Sequence, residues 1–357
     1  SLLFSTALLL VGHGMQLTIL PLVAEESGMP DFAIAVTASG YFLGFLVGCL
    51  IAPSMIYKVG HIRCFGSLAA IFLSSLLLLS MTSHWLIWLL LRFFLGIAMS
   101  GLYSVIENWL NEQADTLTRG RVLSIYAFIV LIAMALGQLL VGAVEINSSV
   151  PFILASILIG LSIVPLSLSD SNAPDCVSPP KQDFGLLFRR SKTAYAGTLL
   201  SGLVGGSFWS LGAIYAARVT TDLSQAVSLV AFALIGGACF QYPIGWLSDQ
   251  FDRRLVMLLV CLLGSVSCGF VAVTAGSTYQ SLAMLFFGGT TLPIYALSLA
   301  TAADNAAKDE FIVLGTSVIL LNALGSALAP LFLGSVMSEF GPPALFWSFS
   351  MLCLMLT

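Results

Sequence analysis

The sequence predicts an all-α integral membrane protein with 12 transmembrane helices in two pseudo-symmetric six-helix bundles. Hydrophobic residues make up 59% of the 357 positions and charged residues only 8%, whereas soluble domains carry about 25% charged residues. The mean hydropathy is +1.02. Apolar runs of about 20 residues, the length that crosses a bilayer as a helix, recur along the chain.

The apolar runs predict the individual helices in order. The first set of six lies at 1–23, 32–57, 64–82, 85–108, 121–144 and 151–168. The second set lies at 193–217, 224–247, 255–276, 281–302, 311–336 and from 344, where the last helix is truncated at Thr357. We therefore expect bundles over 1–168 and 193–357, joined by a polar cytoplasmic linker over 169–192.

The positive charges predict the orientation. Except for Arg92 and Arg218, every Lys and Arg lies in a loop on one side of the predicted membrane. Short loops rich in Lys and Arg stay in the cytoplasm. The pattern therefore predicts a multi-pass protein of the cytoplasmic (inner) membrane with both termini in the cytoplasm.

An internal repeat relates the two halves. The offset of 192 positions that separates Gly44 from Gly236 also places Gly96 on Gly288 and Tyr103 on Tyr295. Many carriers are built from two parallel six-helix repeats that enclose a central site. The repeat therefore favours a transporter over other membrane proteins.

Loop motifs make the chain resemble the major facilitator superfamily. Residues 245–254 follow the pattern G-x-x-x-D-R/K-x-G-R/K-R/K except at Gln250 and Asp252. The equivalent loop of the first half is degraded, since Pro53 and Tyr57 replace the glycine and the acid. It keeps Lys58, Gly60 and Arg63.

Further motifs support the resemblance, which extends over essentially the whole chain. Arg92 and Gly96 match R-x-x-x-G of the fourth helix, and Glu107 precedes Arg119-Gly120. The run at 106–111 is similar to the YcaD-like branch. The fifth helix lacks the proline of the antiporter motif, which disfavours a drug/proton antiporter.

The resemblance implies an alternating-access carrier, a monomer in the lipid bilayer, with a charged gate on its cytoplasmic side. An acid at the position of Glu107 pairs with loop arginines in such carriers. Arg63, Arg119 and Arg121 are the candidate partners here, with simple solvation of Glu107 as the alternative. In the second half the corresponding gate would comprise Asp249, Arg253 and Arg254.

The fourth helix is predicted to carry a polar stripe. Arg92, Gly96, Ser100, Tyr103 and Glu107 recur at spacings of three or four, so they share one helix face. An arginine inside the membrane costs about 2.5–3.5 kcal/mol on insertion scales. Arg92 could therefore anchor an anionic group of a substrate or tune a proton site, or it could snorkel or form a packing hydrogen bond.

His13 and Gln16 lie on one face in the middle of the first helix. A histidine titrates near physiological pH, so His13 is the candidate for proton coupling. The alternatives are a neutral histidine bonded to a neighbouring helix and an uncoupled facilitator. Other candidate cavity residues are Gln16, Tyr103, Tyr295 and Trp209, which could instead be a packing residue. Three further candidates, Gln138, Gln241 and Asn322, could equally be interhelical contacts.

Several function classes are excluded by content. The sequence has no paired acids within its spans, no metal-ligand cluster, no catalytic triad and no phosphate loop, so we expect neither an enzyme nor a cofactor. The net charge of −4 without a basic stripe disfavours nucleic acid. The expected partner is a small organic solute, anionic or zwitterionic, with H⁺ as the coupling ion. A non-transporting receptor or sensor on the same fold stays open.

Overall fold

A computed structural model describes residues 1–113, 119–146, 148–168, 182–307 and 310–357, without the side chains of 111–113, 119–124, 127, 311 and 312. Within these ranges every regular element is a helix. The helices are α1 Leu2–Glu26, α2 Asp31–Val59, α3 His61–Leu79, α4 Trp85–Gln113, α5 Arg119–Val141, α6 Val150–Ser167, α7 Phe184–Arg190, α8 Lys192–Val219, α9 Leu223–Gln250, α10 Arg253–Val273, α11 Gln280–Thr291, α12 Pro293–Asp304, α13 Phe311–Phe340 and α14 Pro343–Leu354.

Twelve apolar helical segments correspond to the predicted spans. Ten described segments are long and apolar enough to cross a membrane, and one of them, Gln280–Asp304, joins α11 to α12. Shorter apolar helices at Phe128–Val141 and Pro343–Leu354 supply the other two. Large apolar side chains such as Phe332 and Val266 lie exposed, as expected where lipid rather than water surrounds a helix.

The chain divides into two compact units, Ser1–Pro179 (unit 1) and Pro180–Thr357 (unit 2). Unit 2 includes α7, which the sequence assigned to the polar linker. Leu187 of α7 is fully buried beside Ala194 and Leu314, and the Asp183 amide donates to Ser317 Oγ at 2.9 Å. The end of the predicted linker is therefore an integral helix of unit 2.

Glycine contacts show that both units use the same helix crossings. A side chain at Gly44 would overlap the Phe93 carbonyl, and one at Gly96 would overlap the Tyr41 carbonyl, where α2 crosses α4. The equivalent contacts in unit 2 are Gly236 on Leu285 and Gly288 on Ala233, where α9 crosses α11. Each partner lies at the same offset of 192 positions as its glycine.

The first membrane-spanning helix of each unit, α1 or α8, repeats this agreement. Gly14 of α1 presses against Met134 of α5, and Gly206 of α8 presses against Ser326 of α13. Pairing of α3 with α6 and of α10 with α14 completes the match. The repeat read from the sequence is thus a repeat of backbone contacts.

Candidate functional site

Unit 1 contains a buried polar cluster around His13 of α1. The His13 Nδ1 atom lies 3.1 Å from Gln16 Oε1. Three aromatic rings surround the imidazole, with centroids 6.4 Å away for Tyr41, 5.9 Å for Phe72 and 6.4 Å for Tyr103. The His13 ring on α1 is therefore surrounded by Gln16 of its own helix and by aromatic residues of α2, α3 and α4.

Two glycines that flank His13 place it there. Gly12 lies against Ala155 and Ile159 of α6, and Gly14 lies against Met134 of α5. Because successive helical residues point about 100° apart, His13 is turned away from both contacts. It consequently faces the aromatic residues of α2, α3 and α4.

Arg92 of α4 is buried, and part of its guanidinium lacks hydrogen-bond partners among the described residues. The residue is only 2% exposed, and its Nε and Nη1 atoms have no hydrogen-bond partner among the described residues. Burying a charge without a partner costs several kcal/mol. A group kept at such a cost in a native structure calls for an explanation.

Two amides of unit 1 share this property. Gln16 Nε2 on α1 and Gln138 Oε1 on α5 are buried and lack a partner within the described part of the chain. With Arg92, they supply unused donors and one unused acceptor on three helices of one bundle.

The predicted stripe on α4 is closed at one end and open at the other. Arg92 and Ser100 are buried, whereas Tyr103 and Glu107 are partly exposed. The Tyr126 hydroxyl of α5 donates to Glu107 Oε1 at 3.3 Å. Exposure of the described stripe residues therefore increases toward Glu107.

The charged loop of unit 2 forms an ion-pair network. Arg253 Nη2 lies 3.0 Å from Asp249 Oδ1, and its Nη1 donates to Ser248 Oγ at 2.7 Å. Arg253 also pairs with Asp304 at the end of α12. Arg254 is exposed, and its backbone amide is capped by Asp252.

The equivalent loop of unit 1 carries two exposed basic side chains. Lys58 lies in the last turn of α2 and is exposed, Gly60 joins α2 to α3 with a φ of 81°, and Arg63 is exposed. Because a positive φ is strained for residues with a side chain, the glycine suits this sharp joint. The side chains of Arg119 and Arg121 lie outside the described residues.

The remaining candidates lie at separate places. Asn322 donates to Ser201 Oγ at 2.7 Å, an interhelical bond between α13 and α8. Gln241 of α9 is partly exposed. Trp209 lies 5.6 Å from Phe208 and is also partly exposed, and Tyr295 packs against the cluster around Leu187.

Sequence reasoning did not single out several neighbours of these residues. Tyr41 and Phe72 enclose His13, Tyr126 binds Glu107, and Asp304 binds Arg253. Tyr41 had a signal, because it lies three residues before Gly44, in the helix that crosses α4. The others are single residues in unremarkable contexts, and only the packing brings them to the site.

Solved structures of transporters share the fold. The nucleoside transporter NupG aligns with a TM-score of 0.80 and 13% identity, over 99% of this chain and 96% of that one. An autoinhibited POT family peptide transporter gives 0.77 and 11%, over 99% and 94%. A bacterial Spinster homologue, inward-facing and unoccupied, gives 0.75 and 18%, over 95% and 82%.

Curated relatives and a family model complete the assignment. The MFS-type transporter YcaD of Escherichia fergusonii is 26% identical over 350 residues, 97% of this chain and 90% of that protein. An MFS-type transporter of Yersinia pestis is 26% identical over 336 residues, 92% and 86%. The model of the Major Facilitator Superfamily matches residues 2–234 and 194–357. The chain therefore belongs to the major facilitator superfamily, a family of membrane transporters and not of enzymes, and it is YcaD-like.

Proposed function

We propose that the chain is a secondary active transporter of a small organic solute with an anionic or zwitterionic group. It works by alternating access in the cytoplasmic membrane, with both termini in the cytoplasm, and it is coupled to protons. The two bundles predicted at 1–168 and 193–357 are its moving parts. The single observation that supports substrate binding best is the burial of Arg92, whose Nε and Nη1 atoms have no hydrogen-bond partner among the described residues.

The electrostatic cost of burying the Arg92 guanidinium supports this function. The buried Nε and Nη1 atoms are paired with nothing described here, so the conformation carries an electrostatic cost. A carboxylate or phosphate that reached Arg92 in an opened state would form charge-assisted hydrogen bonds, which are the strong ones. Binding of an anion would remove this electrostatic cost, and the free energy gained would contribute to the affinity.

His13 is the proton carrier in this proposal. Its Nδ1 contacts Gln16 Oε1, so Nε2 is the nitrogen left to gain or lose a proton. The ring lies within one bundle with Arg92, so a proton on His13 and an anion on Arg92 would influence each other. Coupling follows if the transporter changes conformation only when both sites, or neither, are filled.

Flux into proteoliposomes tests the function. Ligands are first found by thermal shift of the purified protein against a panel of metabolite anions, zwitterions and cations, and hits are then assayed for uptake. We expect an anionic or zwitterionic hit whose uptake rises with an imposed proton gradient. Binding without flux would show a receptor, and gradient-independent flux would show an uncoupled facilitator.

His13→Phe tests the coupling separately. The variant keeps a planar ring among Tyr41, Phe72 and Tyr103 but cannot carry a proton. We expect proton-driven uptake to fall to the level seen without a gradient, while counterflow of solute persists. His84→Phe, in an exposed loop, is the control, and gradient-driven uptake by His13→Phe at the wild-type rate would reject the role.

A further inference from the structure

One glycine of unit 2 borders open space although it lies in the middle of a long helix. An ideal Cβ built on Gly205 of α8 would have no heavy atom within 4 Å. The residue is nevertheless only partly exposed, and no residue of α8 from 193 to 219 is fully exposed. The open space beside Gly205 therefore adjoins a helix that is shielded along its length, and we refer to this space as the crevice.

The neighbouring glycines of α8 behave in the opposite way. A side chain at Gly202 would overlap the Asn322 backbone, and one at Gly206 would overlap Ser326. At Gly212 a Cβ would come within 2.8 Å of the Phe208 ring. Helix packing accounts for these three glycines but not for Gly205.

Backbone conformation does not account for Gly205 either. Its φ is not among the positive values, which occur at Gly28, Gly60, Gly276 and Gly341. A glycine inside a helix costs about 1 kcal/mol relative to alanine. With neither packing nor conformation to justify that cost, the remaining physical effect of Gly205 is to keep the crevice open.

The wall of the crevice is flat and uncharged. Trp209 lies one turn beyond Gly205 on the same helix face, and its side chain is partly exposed. The sequence from Thr193 to Ala217 contains no charged residue. A partly exposed indole beside an uncharged recess favours a planar apolar group, because aromatic rings stack on one another.

The repeat shows what Gly205 replaces. Gly205 takes the position that His13 has in unit 1, and Ala233 takes the position of Tyr41, while Tyr295 preserves Tyr103. In unit 1 these positions hold three rings in contact. In unit 2 Ala233 is fully buried, and the open space lies where the His13 ring would be, beside Gly205.

We propose that Gly205 is a specificity-determining residue, whose missing side chain admits a planar aromatic ring of the transported solute against Trp209. This inference rests on the proposed transport function and adds the second half of the substrate class. The solute would be an organic compound that combines an ionised group with a flat ring.

Cysteine labelling tests the recess without any known solute. The seven native cysteines are replaced, and Gly205→Cys is compared with the buried, near-isosteric Ser207→Cys and the exposed Ser83→Cys. Two probes of similar reactivity, N-phenylmaleimide and N-cyclohexylmaleimide, differ in whether their ring is flat. Thermal melts confirm that each variant is folded.

We expect Gly205→Cys to react, Ser207→Cys to stay unreactive, and the flat probe to be favoured at position 205. Relative to Ser83→Cys, the preference should be roughly two- to tenfold, as aromatic stacking supplies, and Trp209→Ala should remove it. 1-Naphthoate should slow the labelling, whereas acetate should not.

Three results would overturn the proposal: no reaction at position 205, equal rates for the two probes, or no protection by 1-naphthoate. None of these measurements requires transport. A failed flux assay would therefore reject the transport function alone, and failed labelling would reject the recess alone.

Discussion

Units 1 and 2 share one helix framework but bury different chemistry inside it. At the offset of 192 positions, Arg92 of unit 1 is replaced by Met284, Gln16 by Phe208, Gln138 by Pro330 and Glu107 by Leu299. Unit 2 instead packs rings against one another, with Phe287 5.0 Å from both Phe208 and Phe346. The crossing glycines and Tyr103, with its counterpart Tyr295, are kept.

This difference separates the demands of the fold from those of the site. The glycines that both units retain are those on which one helix backbone rests against another. The residues that differ are the buried polar groups, which cost free energy and are not needed to build the bundle, because unit 2 is built without them. We therefore attribute the polar set of unit 1 to function.

Arg92→Met should have the largest effect, because it places the residue of unit 2 at the equivalent position of unit 1. Removing a buried charge for an apolar side chain should stabilise the protein by roughly 1–4 kcal/mol. Loss of its charge-assisted hydrogen bonds should weaken anion binding by roughly 10- to 150-fold. Thermal unfolding and ligand-induced thermal shifts measure the two effects.

A matched substitution in unit 2 controls for the packing change. Met284 is buried and occupies the equivalent position, so Met284→Leu should alter stability by less than about 1.5 kcal/mol and leave binding intact. If Arg92→Met bound the anion as tightly as the wild type, Arg92 would have to be removed from the proposed site.

Paired glycine substitutions test the helix crossings that the two units share. Gly44→Ala and Gly236→Ala each place a methyl group against a carbonyl of the crossing helix, and overpacking of this kind costs about 1–3 kcal/mol. We expect the two losses of unfolding free energy to agree. A large loss in one unit only would show that the two crossings differ.

Gly66→Ala is the control for these variants. Its new methyl group would meet only Ile163, at 3.9 Å. The usual helix preference for alanine should then stabilise the protein by up to about 1 kcal/mol. Unfolding in detergent measures the whole series, and destabilisation by Gly66→Ala would undermine the packing argument.

The sequence predicted the framework more fully than the site for a physical reason. Apolar runs and crossing glycines are local or periodic, so helices and the repeat follow from them. Arg92 and His13 also stood out, because charge and imidazole are rare in apolar runs. Their surroundings depend on which helices touch, so Tyr41, Phe72 and Tyr126 could not be assigned.

The predicted linker shows the same limit of prediction from sequence, here at the surface of the protein. Residues 169–192 are polar overall and contain one short apolar run at 184–188. Within that run α7 buries Leu187, and the helix is fixed by side chains far away in sequence. Asp183 caps its first turn by accepting from the Leu186 amide at 2.8 Å. Arg190 pairs with Glu310 at 2.7 Å. Composition could not reveal an anchor that depends on a partner 120 residues away.

The Arg190–Glu310 pair of unit 2 gives the smallest predicted effect, since it lies at the surface. The hydrogen bond from Arg190 holds the pKa of Glu310 below its ordinary value of 4.5. A carboxylate with a lowered folded-state pKa contributes stability above its unfolded-state value, and this is lost as the pH falls through the folded-state pKa. Because the pair is exposed, solvent and salt screen it and the effect should be small.

Hydrogen exchange of the α7 amides measures this anchoring directly. We expect protection over residues 184–190 to decrease as the pH is lowered past 4.5, after correction for the intrinsic exchange rate. Glu310→Gln should show the reduced protection already at neutral pH and lose the pH dependence. The helices of unit 1 serve as the internal reference, since they contain no such pair among their described residues. Equal protection in the wild type and Glu310→Gln at neutral pH would mean that Leu187 and Asp183 anchor α7 without the ion pair.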